Sequence, residues 1–416
     1  MQLKRVVVTG IGALTPLGNN PDIYWDNLVN GVSGAAPITR FDATNFKTRF
    51  ACEVKDFNIE DYIDRKEARR MDPFTHYAIY TSDQAVADAG LVESKIDADR
   101  VGVIWGSGIG GLTSFSQEIA DYAKGDGMPR FTPFLIPKMI GDIAAGYISI
   151  KYGFRGPNYS IVSACATSSH SLMDAFNLIR LDKADVIVTG GSEACITEAA
   201  VGGFNAMKAL SENNENYKSA SKPYDKERDG FVLGEGSAAL VLEEYEHAKA
   251  RGAKIYAEVV GASATADAYH ITAPHPDGLG VIAVMNNALK EANLKPTDID
   301  YINTHGTSTP LGDIAEIKAI QNVFGEHATK LNISSTKSMT GHLLGGAGAV
   351  EAIAAIKAIN FGIIPPTINH KVDDEAFDPN LNFTFNKSQT RTVNAALSNT
   401  FGFGGHNASI LFKKVD

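Results

Sequence analysis

The sequence predicts an α/β fold in which a largely parallel sheet is covered by helices. Strand-length apolar runs alternate with helix-length amphipathic stretches, the pattern that crossover connections between parallel strands produce. After a charged helical segment at 243–254 the pattern starts again, which predicts two halves, 1–253 and 254–416, meeting near Lys254. Composition agrees. The 416 residues are 44% hydrophobic, 21% charged and 9% aromatic, with a mean hydropathy of −0.09. That is enough apolar material for a large core, and it argues against disorder, a coiled coil or a collagen-like rod.

The elements follow in order. Strands are expected at 6–8, 101–105, 160–162, 186–189 and 238–242, each an apolar run ended by glycine or a small residue, with helices at 73–89 and 168–181 between them. In the second half, strands are expected at 255–260, 301–304, 331–334 and 408–412. A helix of small residues spans about 344 to 359. The halves also share a device. The strand 159–164 runs into Cys165 and then a helix, while 331–335 runs into Lys337, His342 and the small-residue helix. No Pro-rich linker or low-complexity tract separates them, so two tightly packed half-domains are expected.

Charge and cysteine usage narrow the function. Thirty-eight Lys+Arg against 48 Asp+Glu give a net charge of −10. Broad binding to nucleic acid or to an anionic membrane is therefore not expected, although a local basic patch is compatible. Cys52, Cys165 and Cys195 are too scattered for a disulfide framework or a CxxC metal site, which points to a reducing, cytoplasmic setting. Gly10, Gly12 and Pro16 break the first apolar run, so no signal peptide is expected. No window approaches the roughly 20 apolar residues of a membrane span.

Cys165, in Ser163-Ala164-Cys165-Ala166-Thr167-Ser168, stands where a strand gives way to a helix. Unpaired N–H groups and the helix dipole at such a place favour thiolate and can hold an oxyanion. The plainer alternative is a buried structural thiol. Cys52 and Cys195 are read as structural, since neither opens a helix after a strand. His305, in Asn303-Thr304-His305-Gly306-Thr307-Ser308-Thr309, follows a strand, and His342 precedes the glycine-rich helix. Either alone could be a hydrogen-bonded structural histidine, but Thr307 and Thr309 offer hydroxyls to a ligand and Lys337 could adjust the charge of a dry site. Phe403 lies among Gly402, Gly404 and Gly405, a mobile or tightly curved segment on which a phenylalanine could act as a gate.

These motifs, in this order, resemble those of the β-ketoacyl-[acyl carrier protein] synthases, the condensing enzymes of bacterial type II fatty-acid synthesis. The quoted residues are Ala164-Cys165-Ala166-Thr167-Ser168, His305-Gly306-Thr307-Ser308-Thr309, Thr336-Lys337-Ser338-Met339-Thr340-Gly341-His342 and Gly402-Phe403-Gly404-Gly405. The likeness runs from Arg5 through the 225–236 segment to the last strand. His406 departs from it, since the commoner loop has threonine there.

The resemblance implies a thiolase-like fold, two similar half-domains in a five-layered αβαβα sandwich, and a homodimer. It implies that Cys165 attacks the acyl thioester of an acyl carrier protein, with the N–H groups of Cys165 and Phe403 as oxyanion hole. His305 and His342 would then stabilise the enolate left when malonyl-carrier protein loses CO₂. Lys337 would hold charge near His342, with Glu351 as its acidic partner. Phe231 would wall the malonyl carboxylate, Thr307 and Thr309 would bind the pantetheine arm, and Ile109 and Phe204 would bound the acyl tunnel. No free cofactor and no metal are implied, because the substrates ride on the phosphopantetheine of the carrier. An acidic carrier also needs a basic dock, for which Lys66, Arg69 and Arg70, with Lys208, are the candidates.

Three decoys and three rivals remain. Residues 106–111 fit GxGxxG, yet 124–130 forms a turn where a Rossmann fold places its acidic strand. His270 and His275 lack a third metal ligand nearby, and the acids of 225–229 read as a structural charge cluster. The rivals are a non-decarboxylating thiolase-like acyltransferase, a polyketide-type ketosynthase and a non-catalytic chain-length partner subunit. The paired histidines argue against the first, and the intact Cys165 argues against the last.

Overall fold

A computed structural model describes residues 3–415; positions 1, 2 and 416, at the ends of the two predicted halves, lie outside the described residues. Among the described residues one sheet of ten strands forms the framework. Its strands are β1 Val6–Leu14, β2 Val101–Gly106, β3 Asn158–Ile161, β4 Val186–Glu193 and β5 Gly236–Glu244, followed by β6 Ala257–Ala266, β7 Tyr301–Asn303, β8 Asn332–Ser334, β9 Ala395–Gly402 and β10 His406–Lys413. They lie in the order β8-β7-β9-β10-β6-β1-β5-β4-β2-β3.

This order contains a repeat. Outward from the centre, the first five strands run β1-β5-β4-β2-β3 and the second five β6-β10-β9-β7-β8, the same sequence of chain ranks. Orientation repeats as well. In each half the two pairings nearest the centre are antiparallel and the two outer ones parallel. The halves join where β1 pairs antiparallel with β6, Val6 opposite Val259. The expectation of a largely parallel sheet is therefore corrected to a mixed one. Long apolar runs signal burial on both faces, which a central antiparallel strand between helix layers also meets, so the residues alone do not carry direction.

Alternation along the strands sorts side chains into three cores. Val101, Val103 and Trp105 face one core, packed by α1 (Pro73–Asp88) and α2 (Ile143–Tyr152), while Ile104 faces another. Ile302, Leu397 and Leu411 face a third, packed by α4 (Leu279–Ala292) and α5 (Pro310–Phe324). Between lie α3 (Thr167–Arg180) and α6 (Ala347–Phe361), whose apolar residues share one core with both halves of the sheet. Helix, sheet, helix pair, sheet, helix: these are five layers.

The small residues of α6 have a direct use. A Cβ on Gly348 would lie 2.1 Å from Ser169 Oγ, so only glycine lets α6 come this close to α3. The Ala349 N–H donates to Ser168 Oγ across the same contact at 3.0 Å. By length and composition Leu344–Phe361 could cross a membrane, contrary to the reading that no window comes near; 89% of it is buried inside the protein as this central helix.

One strand was not expected. β9 reads Ala-Ala-Leu-Ser-Asn-Thr-Phe-Gly, poor in β-branched residues, and its strand state comes from pairing with β10 and β7. The Phe403 segment is therefore the tight turn of the β9–β10 hairpin, closed by the Gly405 N–H donating to the Gly402 carbonyl at 3.1 Å.

Candidate active site

Cys165 sits in a single 3-10 turn, Ala164–Ala166, between the end of β3 and the start of α3. Ala164 has φ 50°, in the left-handed region, a conformation that costs a non-glycine residue about 1–3 kcal/mol and sharpens the turn. The β9–β10 hairpin leans over it. A Cβ on Gly402 would lie 2.9 Å from the Ser163 carbonyl oxygen and 3.1 Å from the Cys165 nitrogen, so this approach needs glycine. The next residue, Phe403, then directs its N–H to the Cys165 sulfur, as does the N–H of Cys165 itself.

Burial pushes the Cys165 thiol up to about 11, against the downward pull of the Phe403 N–H, the Lys337 charge and its own N–H. This corrects the expectation that the helix start favours thiolate. The donors are in place, but a dry site opposes a charge at rest more strongly. Cys195 does lie between β4 and a helix, Glu198–Ala206, yet its side chain is fully buried and burial raises its thiol far above the usual range. Cys52 is likewise buried, its thiol pushed up to about 12.

A cavity of about 470 Å³ opens over Cys165. His305 and His342 are in its wall, ring centroids 5.2 Å apart and nearly perpendicular. Both rings are held well below the ordinary imidazole range, by burial first and then by the Lys337 ammonium, with His342 adding to the effect on His305. Both are therefore neutral at pH 7, and in each the buried Nδ1 has no hydrogen-bond partner.

Lys337 lies behind the wall, 1% exposed, and its ammonium pairs with the Glu351 carboxylate on α6. Burial drives the Glu351 carboxyl up to about 7 although Lys337 draws it down. Replacing the ammonium with an apolar chain removes a positive charge from beside both imidazoles, so their pKa values rise toward 6.5. We expect Lys337→Met to move the acid limb of activity up in pH, because the neutral rings then give way to imidazolium at a higher pH. Initial rates from pH 5 to 8 check this; an unmoved acid limb would contradict it.

Two buried acids escaped the sequence reading. Glu316 on α5 accepts from the His305 and Gly306 N–H groups at 2.9 and 2.8 Å, which fixes the histidine's backbone. Glu193, at the end of β4, accepts from the N–H groups of Gly108, Ile109 and Gly345 and from Ser107 Oγ at 2.9–3.1 Å. Burial lifts both carboxyls to about 7. The signal for Glu193 was an acid ending an apolar strand, and that for Glu316 an acid between apolar neighbours in a helix. Glu193 also disposes of the GxGxxG decoy, since its carboxylate takes the amides that a pyrophosphate would need.

The remaining candidates divide between cavity and surface. Phe231 meets His342 edge-on at 5.4 Å and Phe204 at 5.3 Å, so an apolar wall stands beside the histidine. The Thr307 and Thr309 hydroxyls are 3.0 Å apart in the cavity wall, and Ile109 lines it while 42% exposed. Lys208 also lines the cavity, whereas Lys66, Arg69 and Arg70 do not. Those three sit at a short helix, Arg65–Ala68, where Arg70 bonds Glu67 at 2.7 Å. The other decoys have local roles. His270 Nδ1 accepts from the Thr272 and Ala273 N–H groups, and Asp225 accepts from the Lys371 and Val372 N–H groups. Arg228 binds Asp374 at 2.6 Å.

Comparison with known proteins gives consistent matches along the chain. Residues 3–248 match the β-ketoacyl synthase N-terminal domain and residues 256–371 the β-ketoacyl synthase C-terminal domain. A 3-oxoacyl-[acyl-carrier-protein] synthase 2 of Synechocystis sp. is 50% identical over 414 residues, covering 100% of this chain and 99% of the relative. One of Staphylococcus aureus is 49% identical over 416 residues, with the same coverage. Among solved structures, a β-ketoacyl synthase from Burkholderia phymatum aligns with a TM-score of 0.92 at 34% identity, over 99% of this chain and 100% of that one. A type II polyketide acyl-carrier protein in complex with its ketosynthase bound to the hexaketide aligns at 0.91 and 34%, over 100% of both.

Proposed function

The chain belongs to the β-ketoacyl synthase family, and from that premise we propose that Cys165 carries the acyl group in the family's decarboxylative Claisen condensation. The reaction joins an acyl chain to the two carbons that malonyl-acyl carrier protein retains, giving 3-oxoacyl-carrier protein in fatty-acid elongation. The observation that supports this reading best is the convergence, on one cavity, of a thiol facing two backbone N–H groups and two neutral imidazoles.

In the first half-reaction the Cys165 sulfur bonds to the acyl carbonyl carbon. The oxyanion rests on the N–H groups of Cys165 and Phe403, and the carbon–sulfur bond to the carrier breaks. The proton given up by Cys165 leaves on the carrier's pantetheine thiol. Malonyl-carrier protein then places its thioester carbonyl between His305 and His342. Its carboxylate departs as CO₂, leaving the bonding electrons as an enolate that the histidines stabilise. Phe231 keeps that region apolar, which favours the neutral product. The enolate carbon attacks the acyl-Cys165 carbonyl, sulfur leaves as thiolate, and one proton from solvent restores the thiol. Thr307 and Thr309 hold the pantetheine arm. Lys337, paired with Glu351, adds to the burial that keeps both imidazoles unprotonated.

The named relatives at 49–50% identity favour the fatty-acid reading over the polyketide alternative, which rests on matches near 34%. Purified protein with acyl- and malonyl-carrier protein tests it: mass spectrometry should find a 3-oxoacyl-carrier product and CO₂, and absence of the product overturns the reading.

Finer points complete the proposal. The join between half-domains falls at 253/254, just ahead of β6. The protein is a homodimer: Ile109, Phe115, Ile119, Tyr122 and Ile136 are each 40–59% exposed along one stretch of chain, apolar surface fit for a second copy. Its location is the cytoplasm, in keeping with three free cysteines. Ile109→Phe narrows the cavity, so long-chain donors should slow about tenfold or more relative to medium-chain ones. Equal slowing across chain lengths would remove Ile109 from the pocket. Lys66, Arg69, Arg70 and Lys208 form the dock for an acidic carrier. Arg69→Glu with Arg70→Glu should raise the KM for carrier substrates about tenfold and leave alkylation of Cys165 by a small reagent unchanged. An unchanged KM would place the dock elsewhere.

A further inference from the structure

His170 belongs to none of the roles described so far. It lies on α3, and its Nδ1 is 2.6 Å from the hydroxyl of Ser163. Ser163 opens the nucleophile turn. Its N–H donates to Thr167 Oγ1 at 2.9 Å and its carbonyl accepts from the Ala166 N–H at 3.1 Å, so it brackets the strained Ala164 and Cys165. The same carbonyl is the atom that Gly402 approaches, one residue before the Phe403 N–H. Ser163 thus lies between the Cys165 turn and the hairpin that carries Phe403.

Burial holds His170 below the usual imidazole range, assisted by His406 on β10, while Asp174 and the Asn407 backbone oppose this. It is therefore neutral at pH 7. The contact that places the ring is the one between its Nδ1 and the Ser163 hydroxyl. Nε2 is buried and makes no hydrogen bond. An orphaned polar nitrogen is unfavourable where packing alone is needed, since an apolar side chain would fill the space without it.

The geometry points to His170 as a positioning residue for the first half-reaction: through the Ser163 hydroxyl it holds the Ala164–Ala166 turn against the β9–β10 hairpin, setting the distance between the Cys165 and Phe403 N–H groups. A hydrogen bond between the ring and the Ser163 hydroxyl fixes the direction of that hydroxyl and adds to the backbone bonds that hold the turn. This inference rests on Cys165 being the acylated residue.

Single-turnover acylation by an acyl-carrier substrate, followed by mass of the intact protein and of the Cys165 peptide, tests it. If unmodified protein takes no acyl group on Cys165, the reading of the nucleophile has failed. If it does, the variants decide the present inference. His170→Ala and Ser163→Ala should each slow acylation at saturating donor about tenfold, with the half-saturating concentration unchanged. The double variant should be no slower than either single one. His170→Asn, whose amide oxygen can stand near the place of Nδ1, should recover most of the rate. Independent losses that multiply to about a hundredfold, unslowed variants, or a loss that His170→Asn fails to recover would overturn the inference.

Discussion

Cys165→Ala abolishes condensation: 3-oxoacyl product should fall by about 10⁴-fold or more, below detection in a carrier-protein assay. The size follows from the role. Without the thiol no acyl thioester forms on the protein, and no other cysteine can replace it, because Cys52 and Cys195 are buried and do not line the cavity. The change removes one sulfur and leaves the Phe403 hairpin and both histidines standing. Malonyl-carrier protein should therefore still lose CO₂ and accumulate as acetyl-carrier protein. Full condensation by Cys165→Ala would refute the mechanism.

The second large effect belongs to the paired imidazoles. His305→Ala and His342→Ala should each lower condensation about 10²–10³-fold, corresponding to the loss of one preorganised donor to a developing oxyanion, about 3–4 kcal/mol. Acylation of Cys165 should fall much less, since in the proposed mechanism its oxyanion rests on backbone N–H groups that neither substitution touches. Measuring the half-reactions separately distinguishes this from a collapsed site, which would lose both equally. The low pKa values add a condition. Because both rings are held well below 6.5, the wild-type acid limb should lie below that value.

Much of the site was legible because its chemistry is local. A strand followed by a small-residue turn and a helix marks Cys165, and the glycines about His342 and Phe403 mark places where backbones come close. What escaped depended on distance in the chain. Glu193 secures the turn carrying Ile109 from 84 residues away, and Glu316 holds the His305 backbone from the next helix. Each carboxylate has only a weak local signal, an acid among apolar neighbours, and the N–H groups it accepts from are supplied by the fold. The β9 strand was missed for a related reason. Its residues have little intrinsic preference for extension, and pairing with neighbours imposed it.

By itself the sequence determined the layer type and the order of reactive residues, because apolar period and small-residue turns are written in neighbouring positions. Only the tertiary structure decided strand direction, the balance of charge at the site and the partners of its buried acids. A pairing direction is chosen by strands far apart in the chain. The Cys165 thiol shows the same limit. Its helix-start position is local and favours thiolate, but burial is a property of the assembled fold, and in this site burial dominates.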